Sequence, residues 1–399
     1  MKRESFDILV SGGGVAGLIA ATAFGSAGYS VLCVDPNAPV TDANDPDADL
    51  RTTAFLQPAR ALLDTCGLWS SLAPHAAPLQ IMRIVDAGGE TPEPRVVKDF
   101  RASDISDEPF GWNLPNWLLR REILGRIGDL ANVEFRPGVS TQSVLTRESE
   151  ALVSLSDGTR ASAKLLIAAD GRNSPVRDAV GIDVKTTRYG QKALAFAVTH
   201  PIPHENISTE VHRSGGPFTM VPLPDRDGQS CSAIVWMERG AEVKRLQSLN
   251  KDAFEDEMNT RSCHLLGPLT LASRRSAWPI ISQIAGRMSA ERTALIAEAA
   301  HVVPPIGAQG LNMSLGDLRV LLELAEGAPD TLGSRPMLDT YHKRRHPDVR
   351  LRVTGIDALN RASMVGAPAL RDLRAAALNA FYSVAPVRKT LMRTGLGSR

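Results

Sequence analysis

The 399-residue chain has almost no net charge and few cysteines. Its 45 Lys and Arg balance 44 Asp and Glu, which leaves a formal charge of +1, so no overall field favours nucleic acid as a partner. The cysteines are far apart and form no CxxC pair; they are Cys33, Cys66, Cys231 and Cys263. This spacing indicates neither a disulfide framework nor a zinc site, we predict no bound metal, and a cytoplasmic location is expected.

The uncharged segment from Ile8 to Val34 could suggest a signal peptide or a membrane span. It contains six glycines and three serines, and an aspartate follows it directly. We therefore interpret the segment as a strand, a turn, a helix and a second strand. The expected strands are Ile8 to Val10 and a run that ends at Asp35, and the helix should end near Gly28.

A GxGxxG motif lies between the first strand and the helix of this segment. Gly12 permits the tight turn, Gly14 lets the backbone approach a pyrophosphate, and Gly17 lets the helix pack on the strand. Asp35 follows Gly12 by 23 residues, where an acid can accept hydrogen bonds from a ribose. The pattern predicts a dinucleotide site. The Asp- and Pro-rich stretch from Asp35 to Arg51 predicts a long exposed loop.

Two later segments bear on which dinucleotide binds. The first is a predicted hairpin that turns at Asp157-Gly158 and continues into an apolar strand ending at Asp170. The second is TALIAEAAHVVPPIGAQGLN, which predicts a strand ending at Glu298, a glycine-containing loop and a helix from about Leu311. Backbone N–H groups and a helix N-terminus stabilise negative charge. A reduced flavin carries such charge and nicotinamide does not, so the pattern favours FAD.

These motifs resemble those of the flavin-dependent aromatic hydroxylases, the group that includes p-hydroxybenzoate hydroxylase. The segments GWNLPNWLLRREIL, RYGQKALAFAVTHPIPHENISTEVHRSGGPFTMVPLPD and HVVPPIGAQGLN are similar, in the same order, to those of the ubiquinone-biosynthesis hydroxylases. The resemblance covers nearly the whole chain. It implies an FAD-dependent monooxygenase that hydroxylates a polyprenylated phenol with O₂ through a flavin C4a-hydroperoxide. NAD(P)H or a protein electron donor would be the reductant.

The resemblance also implies roles for individual residues. Arg51 would approach the pyrophosphate, Glu298 would bind the ribityl hydroxyls, and Pro305 and Gly310 would lie at the flavin face where hydroxylation occurs. The implied cofactor-binding set is Gly12, Gly14, Ala16, Gly17, Asp35, Arg51, Asn116, Arg120, Asp170, Glu298, Gly310, Leu311 and Asn312.

The chain departs from the wider class at three positions. Ala297 and Ala308 stand where the class usually has glycine, and Gly316 stands where arginine is frequent. If position 308 needs a positive φ, its alanine is strained. These departures leave open a non-catalytic flavoprotein that holds a biosynthetic complex together. A flavin reductase or dehydrogenase acting on another lipid is a further alternative.

The second half of the chain predicts a separate sheet. Strand-like runs alternate with turns between residues 183 and about 278. The expected fold class is α/β: a Rossmann-like FAD-binding domain (1–75, 100–182 and 283–335), an inserted, mainly antiparallel β-sheet substrate domain (76–99 and 183–282) and a C-terminal helical segment (336–399). Substrate contacts are predicted at Tyr189, Phe218, Met220 and Trp236, with plain sheet core as the alternative. No paired acid and base is evident, so His204, His212 and His301 are interpreted as structural or surface residues.

The C-terminal segment is basic. Residues 341–399 carry 12 Lys and Arg against 3 Asp and Glu, a balance that favours anionic membrane surfaces or simply a solvated helical tail. Apolar residues recur near helical spacing at Leu370, Leu373, Ala377, Phe381 and Val384. Such a helix can lie in a bilayer interface. Alternatively, it can pack on the rest of this protein or on another ubiquinone-biosynthesis protein.

Overall fold

The computed structural model of the protein describes residues 3–89, 91–213, 215–364 and 368–396, without the side chains of 368–370, 373, 374 and 377. The strands are β1 (Arg3–Ser11), β2 (Val31–Asp35), β3 (Thr52–Leu56), β4 (Ala77–Leu79), β5 (Ile81–Asp86), β6 (Val96–Arg101), β7 (Gly111–Pro115), β8 (Val133–Pro137), β9 (Thr141–Thr146), β10 (Ala151–Leu155), β11 (Arg160–Ala168), β12 (Val184–His200), β13 (Ile207–His212), β14 (Pro217–Arg226), β15 (Gln229–Arg239), β16 (Thr270–Leu271), β17 (Ser276–Ala285), β18 (Ser289–Ala290), β19 (Thr293–Leu295) and β20 (His301–Val302).

The α-helices alternate with these strands and then dominate the end of the chain. They are α1 (Val15–Ser26), α2 (Gln57–Thr65), α3 (Trp69–Leu72), α4 (Asn116–Gly128), α5 (Pro175–Ala179), α6 (Gly240–Ser248), α7 (Lys251–Arg261), α8 (Ala297–Ala300), α9 (Gln309–Gly327), α10 (Arg335–Ser363), α11 (Pro368–Ser383) and α12 (Ala385–Leu396).

The first sheet has a parallel centre in the order β19-β11-β1-β2-β8. Ile8, Leu9 and Val10 are fully buried in it, because helices cover a parallel sheet and its strands become continuous apolar runs. The predicted strand–turn–helix–strand is confirmed as β1-α1-β2. The hairpin turn at Asp157-Gly158 is confirmed between β10 and β11, where Gly158 has a φ of 86°.

The second sheet is mainly antiparallel and runs in the order β20-β17-β12-β15-β14-β13-β5-β6, with β16 beside β12. One face carries the aromatic core residues Phe196, Phe218 and Trp236, and Phe254 of α7 packs on them. The other face is turned toward the first sheet. The expected fold class is confirmed, whereas the domain boundaries given above stay a prediction.

The C-terminal helices pack on both parts of the molecule. Helix α10 lies against α9, and α11 contacts β6, where the Tyr382 hydroxyl donates to the carbonyl of Asp99 at 3.0 Å. Within the described ranges, no helix is long and apolar enough to cross a bilayer. Of the predicted apolar stripe, the side chains of Leu370, Leu373 and Ala377 lie outside the described ones. Phe381 and Val384 are exposed.

Candidate active site

The turn between β1 and α1 is built from glycines with different tasks. Gly12 has a φ of 110°, and a Cβ there would overlap the Ala169 carbonyl. A Cβ on Gly17 would overlap the carbonyl of Gly12. At Gly14 a Cβ would meet nothing within 4 Å, so this residue faces open space at the positive end of α1. Two glycines thus close the turn, and the third leaves room for a phosphate.

Asp35, at the end of β2, holds this turn in place. Its Oδ2 accepts the N–H of Gly13 at 2.6 Å, and its Oδ1 accepts the N–H of Asn37 at 2.8 Å. An ionised carboxylate has about four acceptor positions, so it can also accept a ribose hydroxyl. The predicted contact with the ribose stays a prediction.

Asp49 contacts three of the predicted cofactor-binding residues. Asp49 accepts two hydrogen bonds from the guanidinium of Arg51, at 2.8 and 2.7 Å, and a third from its backbone N–H at 3.2 Å. It also accepts one from Asn116 at 3.0 Å, and Arg120 lies 3.6 Å away. Burial alone would raise the pKa of Asp49, but the Arg51 and Asn116 hydrogen bonds and the charge of Arg120 lower it below its usual value. The Asp49 carboxylate orients all three side chains at the cavity wall.

Asp49 was missed by the sequence analysis, and the prediction of an exposed loop was wrong at this end. Its side chain is only 12% exposed, because the loop turns inward just before β3. Five aspartates occur in residues 35–49, and the sequence contains nothing that distinguishes Asp49 from the other four. Arg51 also stacks over Trp278, with its guanidinium 5.4 Å from the ring centroid, so two neighbours fix its orientation.

Asp170, which lies just after β11, uses one of its two carboxylate oxygens in a hydrogen bond to the protein. Its Oδ2 accepts the N–H of Val176 at 3.1 Å, whereas its Oδ1 is buried without a hydrogen-bond partner among the described residues. Burial raises the pKa of this carboxyl. Because buried polar atoms are nearly always hydrogen-bonded, this oxygen fits a ligand hydroxyl.

Glu298 lies at the cavity but not where the sequence placed it. Strand β19 ends at Leu295, and Glu298 belongs to the four-residue helix α8, because the chain turns at Ala297 with a φ of 54°. Arg172 donates to the Glu298 carboxylate at 3.1 and 3.3 Å. The Glu298 side chain is 47% exposed, so it can still accept hydrogen bonds from a polyol.

The loop before α9 carries the predicted flavin-face residues. Pro305 and Gly310 both line the cavity, and a Cβ on Gly310 would meet nothing within 4 Å. Helix α9 begins at Gln309, two residues earlier than predicted, with Ala308 as its left-handed N-cap. Leu311 also lines the cavity, and the N-terminus of α9 brings a partial positive charge to it.

Asn312, one of the residues implied to bind the cofactor, uses its side chain to join two segments of the protein. Its Oδ1 accepts the N–H of Leu56 at 2.8 Å, and its Nδ2 donates to the carbonyls of Ala54 at 2.7 Å and Ala308 at 2.6 Å. These bonds join β3 to the first turn of α9. The asparagine therefore positions the flavin-face loop against β3.

A single cavity of about 530 Å³ connects Gly14, Arg51, Glu298 and the Pro305 loop to the second sheet, whereas Asp35 and Asp170 do not line it. Gly14 and Ala16 lie on the first-sheet side, and the Pro305 loop lies between the two sheets. The wall formed by the second sheet is mostly apolar and includes Ile81, Met82, Val221 and Val235, and Leu79 and Phe110 line the cavity as well. A substrate on this wall would lie beside a cofactor bound at the first sheet.

The four predicted substrate residues do not line this cavity, and that prediction was wrong. Phe218, Met220 and Trp236 are buried on the opposite face of the sheet, within the core beneath α6 and α7. Successive strand residues point to opposite faces, so their neighbours Thr219, Val221 and Val235 line the cavity instead. The hydroxyl of Tyr189 donates to Asp357 of α10 at 2.5 Å, away from the site.

FAD fits this arrangement. The open space at Gly14 suits a pyrophosphate, the buried Asp170 oxygen suits a hydroxyl, and the N-terminus of α9 suits the negative edge of a reduced ring. Among the described residues no cluster of three metal-ligating side chains occurs. The fold and this site therefore fit a protein that binds FAD beside an apolar cavity.

Comparison with known proteins gives the family. The FAD binding domain family matches residues 5–354. A ubiquinone hydroxylase, UbiL of Rhodospirillum rubrum, is 32% identical over 98% of this chain and 90% of its own. The 3-demethoxyubiquinol 3-hydroxylase of Escherichia coli is 25% identical over the full length of both chains. The crystal structure of p-nitrophenol 4-monooxygenase PnpA from Pseudomonas putida superposes with a TM-score of 0.79 at 19% identity, over 99% of each chain. The chain belongs to the FAD-binding hydroxylase family that includes the ubiquinone hydroxylases.

Proposed function

We propose that this enzyme hydroxylates the aromatic ring of a polyprenylated phenol in ubiquinone biosynthesis. The observation that carries the proposal is the continuous cavity, which joins the Gly14 cradle to an apolar sheet wall. An apolar wall suits a prenylated ring, whereas a small polar substrate would require more polar partners. The named activities of the ubiquinone hydroxylases among the relatives support the same substrate class.

The residues of this chain would bind, orient and exclude water, and FAD would supply the redox chemistry by activating O₂ for transfer to the ring. Asp35, Asp170 and Glu298 present acceptors for hydroxyl groups of the cofactor. Gly310 and Leu311, in the first turn of α9, would offer backbone N–H groups to the ring edge that becomes negative on reduction. Pro305 forms a rigid part of the wall next to the reacting face.

The reductant would be NAD(P)H in a transient complex, or a protein electron donor. The sequence has no second GxGxxG motif, which favours transient contact over a second dinucleotide site. Anaerobic mixing with NADH, with NADPH and with a reduced ferredoxin, while the flavin absorbance is followed, separates the donors. Bleaching by the ferredoxin alone would contradict a nicotinamide donor.

We further propose that the C-terminal helices hold the enzyme at an anionic membrane surface on the cytoplasmic side. Exposed apolar side chains recur every three or four residues here: Phe381 on α11, Val384 between the two helices, and Val387 and Leu391 on α12. Basic residues, including Lys389 and Arg393, accompany them. An amphipathic, basic face of this kind binds at a bilayer interface, from which a prenylated substrate must be taken.

Vesicle sedimentation tests the membrane proposal. Phe381→Ser with Leu391→Ser should abolish binding to vesicles containing phosphatidylglycerol. Leu145→Ser, at an equally exposed leucine on β9, should leave it unchanged. Equal loss in both variants, or equal binding to uncharged vesicles, would show that this face does not mediate membrane contact, and capture of another biosynthetic protein through it would indicate a protein partner.

The main proposal is tested with the purified protein. We expect near-stoichiometric bound FAD and, after reduction and addition of O₂, a prenylated phenol heavier by one oxygen atom in mass spectrometry. Reduction and reoxidation without product would favour a flavin reductase or dehydrogenase. A colourless protein that cannot be reloaded with FAD, yet co-purifies with partners, would favour a scaffold.

A further inference from the structure

An acid–base pair lies at the sheet wall of the cavity, where Glu210 lines the cavity and His212 contacts Glu210. The Nε2 of His212 lies 2.7 Å from the Oε1 of Glu210 on strand β13. Both side chains are only 14% exposed. Residues i and i+2 of a strand share a face, so the strand conformation itself brings the imidazole onto the carboxylate.

Glu210 faces the substrate side of the cavity. It lies in register with Thr219 of β14, which in turn lies in register with Val235 of β15, and all three line the cavity. The other ionisable residues that line the cavity are Asp49, Arg51, Arg120, Arg172, Glu298 and His301. Of these, only His301 belongs to the second sheet, on β20, and its Nε2 lies 2.7 Å from Asp317. Among the described residues of strands β5, β13, β14 and β15, the cavity is lined by one ionisable side chain, the carboxylate of Glu210.

The surroundings of the pair contain few other charges. The β14 residues in register with Glu210 and His212, Thr219 and Pro217, are uncharged. On β5 the residue beside His212 is Asp86, which Arg95 binds at 2.7 and 3.0 Å. Behind the sheet, the guanidinium of Arg261 donates to the carbonyl of Val211 at 3.1 Å. Residue 214 lies outside the described part of the chain.

We propose that Glu210 accepts the proton of the substrate's phenolic hydroxyl and that His212 positions the Glu210 carboxylate for this transfer. The O–H bond of the phenol breaks, the proton moves to a carboxylate oxygen of Glu210, and the electron pair stays on the phenolate oxygen. That negative charge is shared with the ring carbons, which makes them better nucleophiles toward an electrophilic oxygen. The inference rests on the proposed function and names the catalytic base of that site.

A base is needed because a phenol has an ordinary pKa of about 10 and is almost wholly protonated near pH 7. A positioned general base accelerates such a proton transfer by about 10²- to 10⁴-fold. His212, as a positioning residue, keeps one carboxylate oxygen occupied, so that the other faces the cavity.

The first test is a pH profile of hydroxylation by the FAD-loaded enzyme. Glu210→Gln should lower turnover near pH 7 by about 100-fold. Its rate should then rise about tenfold per pH unit toward the pKa of the phenol, because only substrate already ionised in solution can react. Wild type should show no such rise. His212→Gln should lower the rate less than Glu210→Gln does and should keep the wild-type pH profile. The matched control is Glu148→Gln, which replaces an exposed glutamate on the β9–β10 turn.

The second test needs no turnover. Calorimetry should show that wild type binds the prenylated phenol about tenfold more tightly than its methyl ether, because only the phenol donates a charge-assisted hydrogen bond to Glu210. Glu210→Gln should lose this preference, and Glu148→Gln should keep it.

These results distinguish a failure of the proposed hydroxylase function from a failure of the proposal that Glu210 is the base. If wild type forms no hydroxylated product but Glu210→Gln abolishes the preference for the phenol, the proposed function fails and the Glu210 contact stands. If wild type hydroxylates and Glu210→Gln keeps both a level pH profile and the preference for the phenol, Glu210 is not the base. A uniform loss of rate with unchanged pH dependence would also overturn the inference, since a merely structural role gives that result.

Discussion

Ala297 and Ala308 both adopt the left-handed backbone conformation, with φ of 54° and 56°, at the two ends of the segment that carries the proline pair of the site. The expected strain at Ala308 is thus present, and Ala297 shares it. In each case alanine stands at a position that suits glycine, because the Cβ of an L-residue crowds the following carbonyl.

Replacing either alanine by glycine should stabilise the protein. We expect Ala308→Gly to raise the free energy of unfolding by about 1 kcal/mol, since the relief of left-handed strain exceeds the entropy cost of glycine. Urea denaturation measures the change. Ala358→Gly, the same substitution at an exposed position of α10, should lower stability by about 1 kcal/mol. A loss of similar size at position 308 would contradict the left-handed assignment.

Gly14 and Gly17 should respond differently to alanine. Gly14 has a φ of −66° and open space where its Cβ would be, so Gly14→Ala should leave the stability of the FAD-free protein within about 0.5 kcal/mol. The new methyl group occupies the predicted pyrophosphate position, and we expect FAD affinity to fall at least about tenfold, or about 1.4 kcal/mol.

The matched variant is Gly17→Ala, whose Cβ would overlap the Gly12 carbonyl. It should lose stability even without FAD. Fluorescence titration with FAD and thermal melting of the FAD-free protein measure the two effects. Unchanged FAD affinity in Gly14→Ala would remove Gly14 from the cofactor site.

Glu238 of β15 should make stability depend on pH. This residue is 9% exposed, and burial raises the pKa of its carboxyl from 4.5 to about 7. The unfolded chain therefore releases this proton at lower pH than the folded protein. Its contribution to stability is fully present below pH 4.5, declines as pH rises to about 7 and is lost above that.

Glu238→Gln removes this titration. The variant should be more stable than wild type at pH 8 by about 3 kcal/mol, and nearly equal to it at pH 4.5. Urea denaturation at the two pH values tests the difference, with the exposed Glu148→Gln as control. A stability difference that is the same at both pH values would rule out a titrating Glu238.

The buried carboxylate of Asp317 joins two elements behind the flavin-face loop. His301 lies 2.7 Å from its Oδ2, and Arg345 of α10 donates to its Oδ1 at 2.8 Å. A Cβ on Gly316 would lie 3.2 Å from the Arg345 guanidinium. A side chain at position 316 would therefore press on the guanidinium that pairs with Asp317.

Removing Asp317 alone should lower the free energy of unfolding more than removing Asp317 and Arg345 together. Asp317→Leu should lower the free energy of unfolding by about 3–5 kcal/mol, because the Arg345 charge loses its buried partner. Asp317→Leu with Arg345→Met should recover much of this loss. A double-mutant cycle measures the coupling, and strictly additive costs would contradict the pairing.

The structure confirmed the predictions that depend on short stretches of sequence. The β1-α1-β2 unit and the Asp157-Gly158 hairpin follow from local apolar periodicity and from glycine at positive φ. The prediction of a strand through Glu298 was wrong, because the left-handed turn at Ala297 ends it. That turn uses alanine, and alanine gives no local signal for it.

The predictions that failed depend on which strands meet and on which face each presents. Phe218 and Trp236 are the large side chains that a substrate cavity would suggest, yet the sheet register turns them toward α6 and α7. A shift of one residue reverses the face of a strand, and the sequence does not contain that choice. The same long-range packing decided that the loop ending at Asp49 turns inward.

The sequence by itself determined the dinucleotide turn, the order of the strands along the chain and the basic end, because each depends on residues that are neighbours in the chain. Only the tertiary structure decided which residues share the cavity. The sequence singles out neither Glu210 nor its contact with His212, and the pairing of the strands places the β13 carboxylate on the cavity wall. The burial of a side chain and its distance from other side chains depend on how distant segments of the chain pack. The sequence determines them only through the fold.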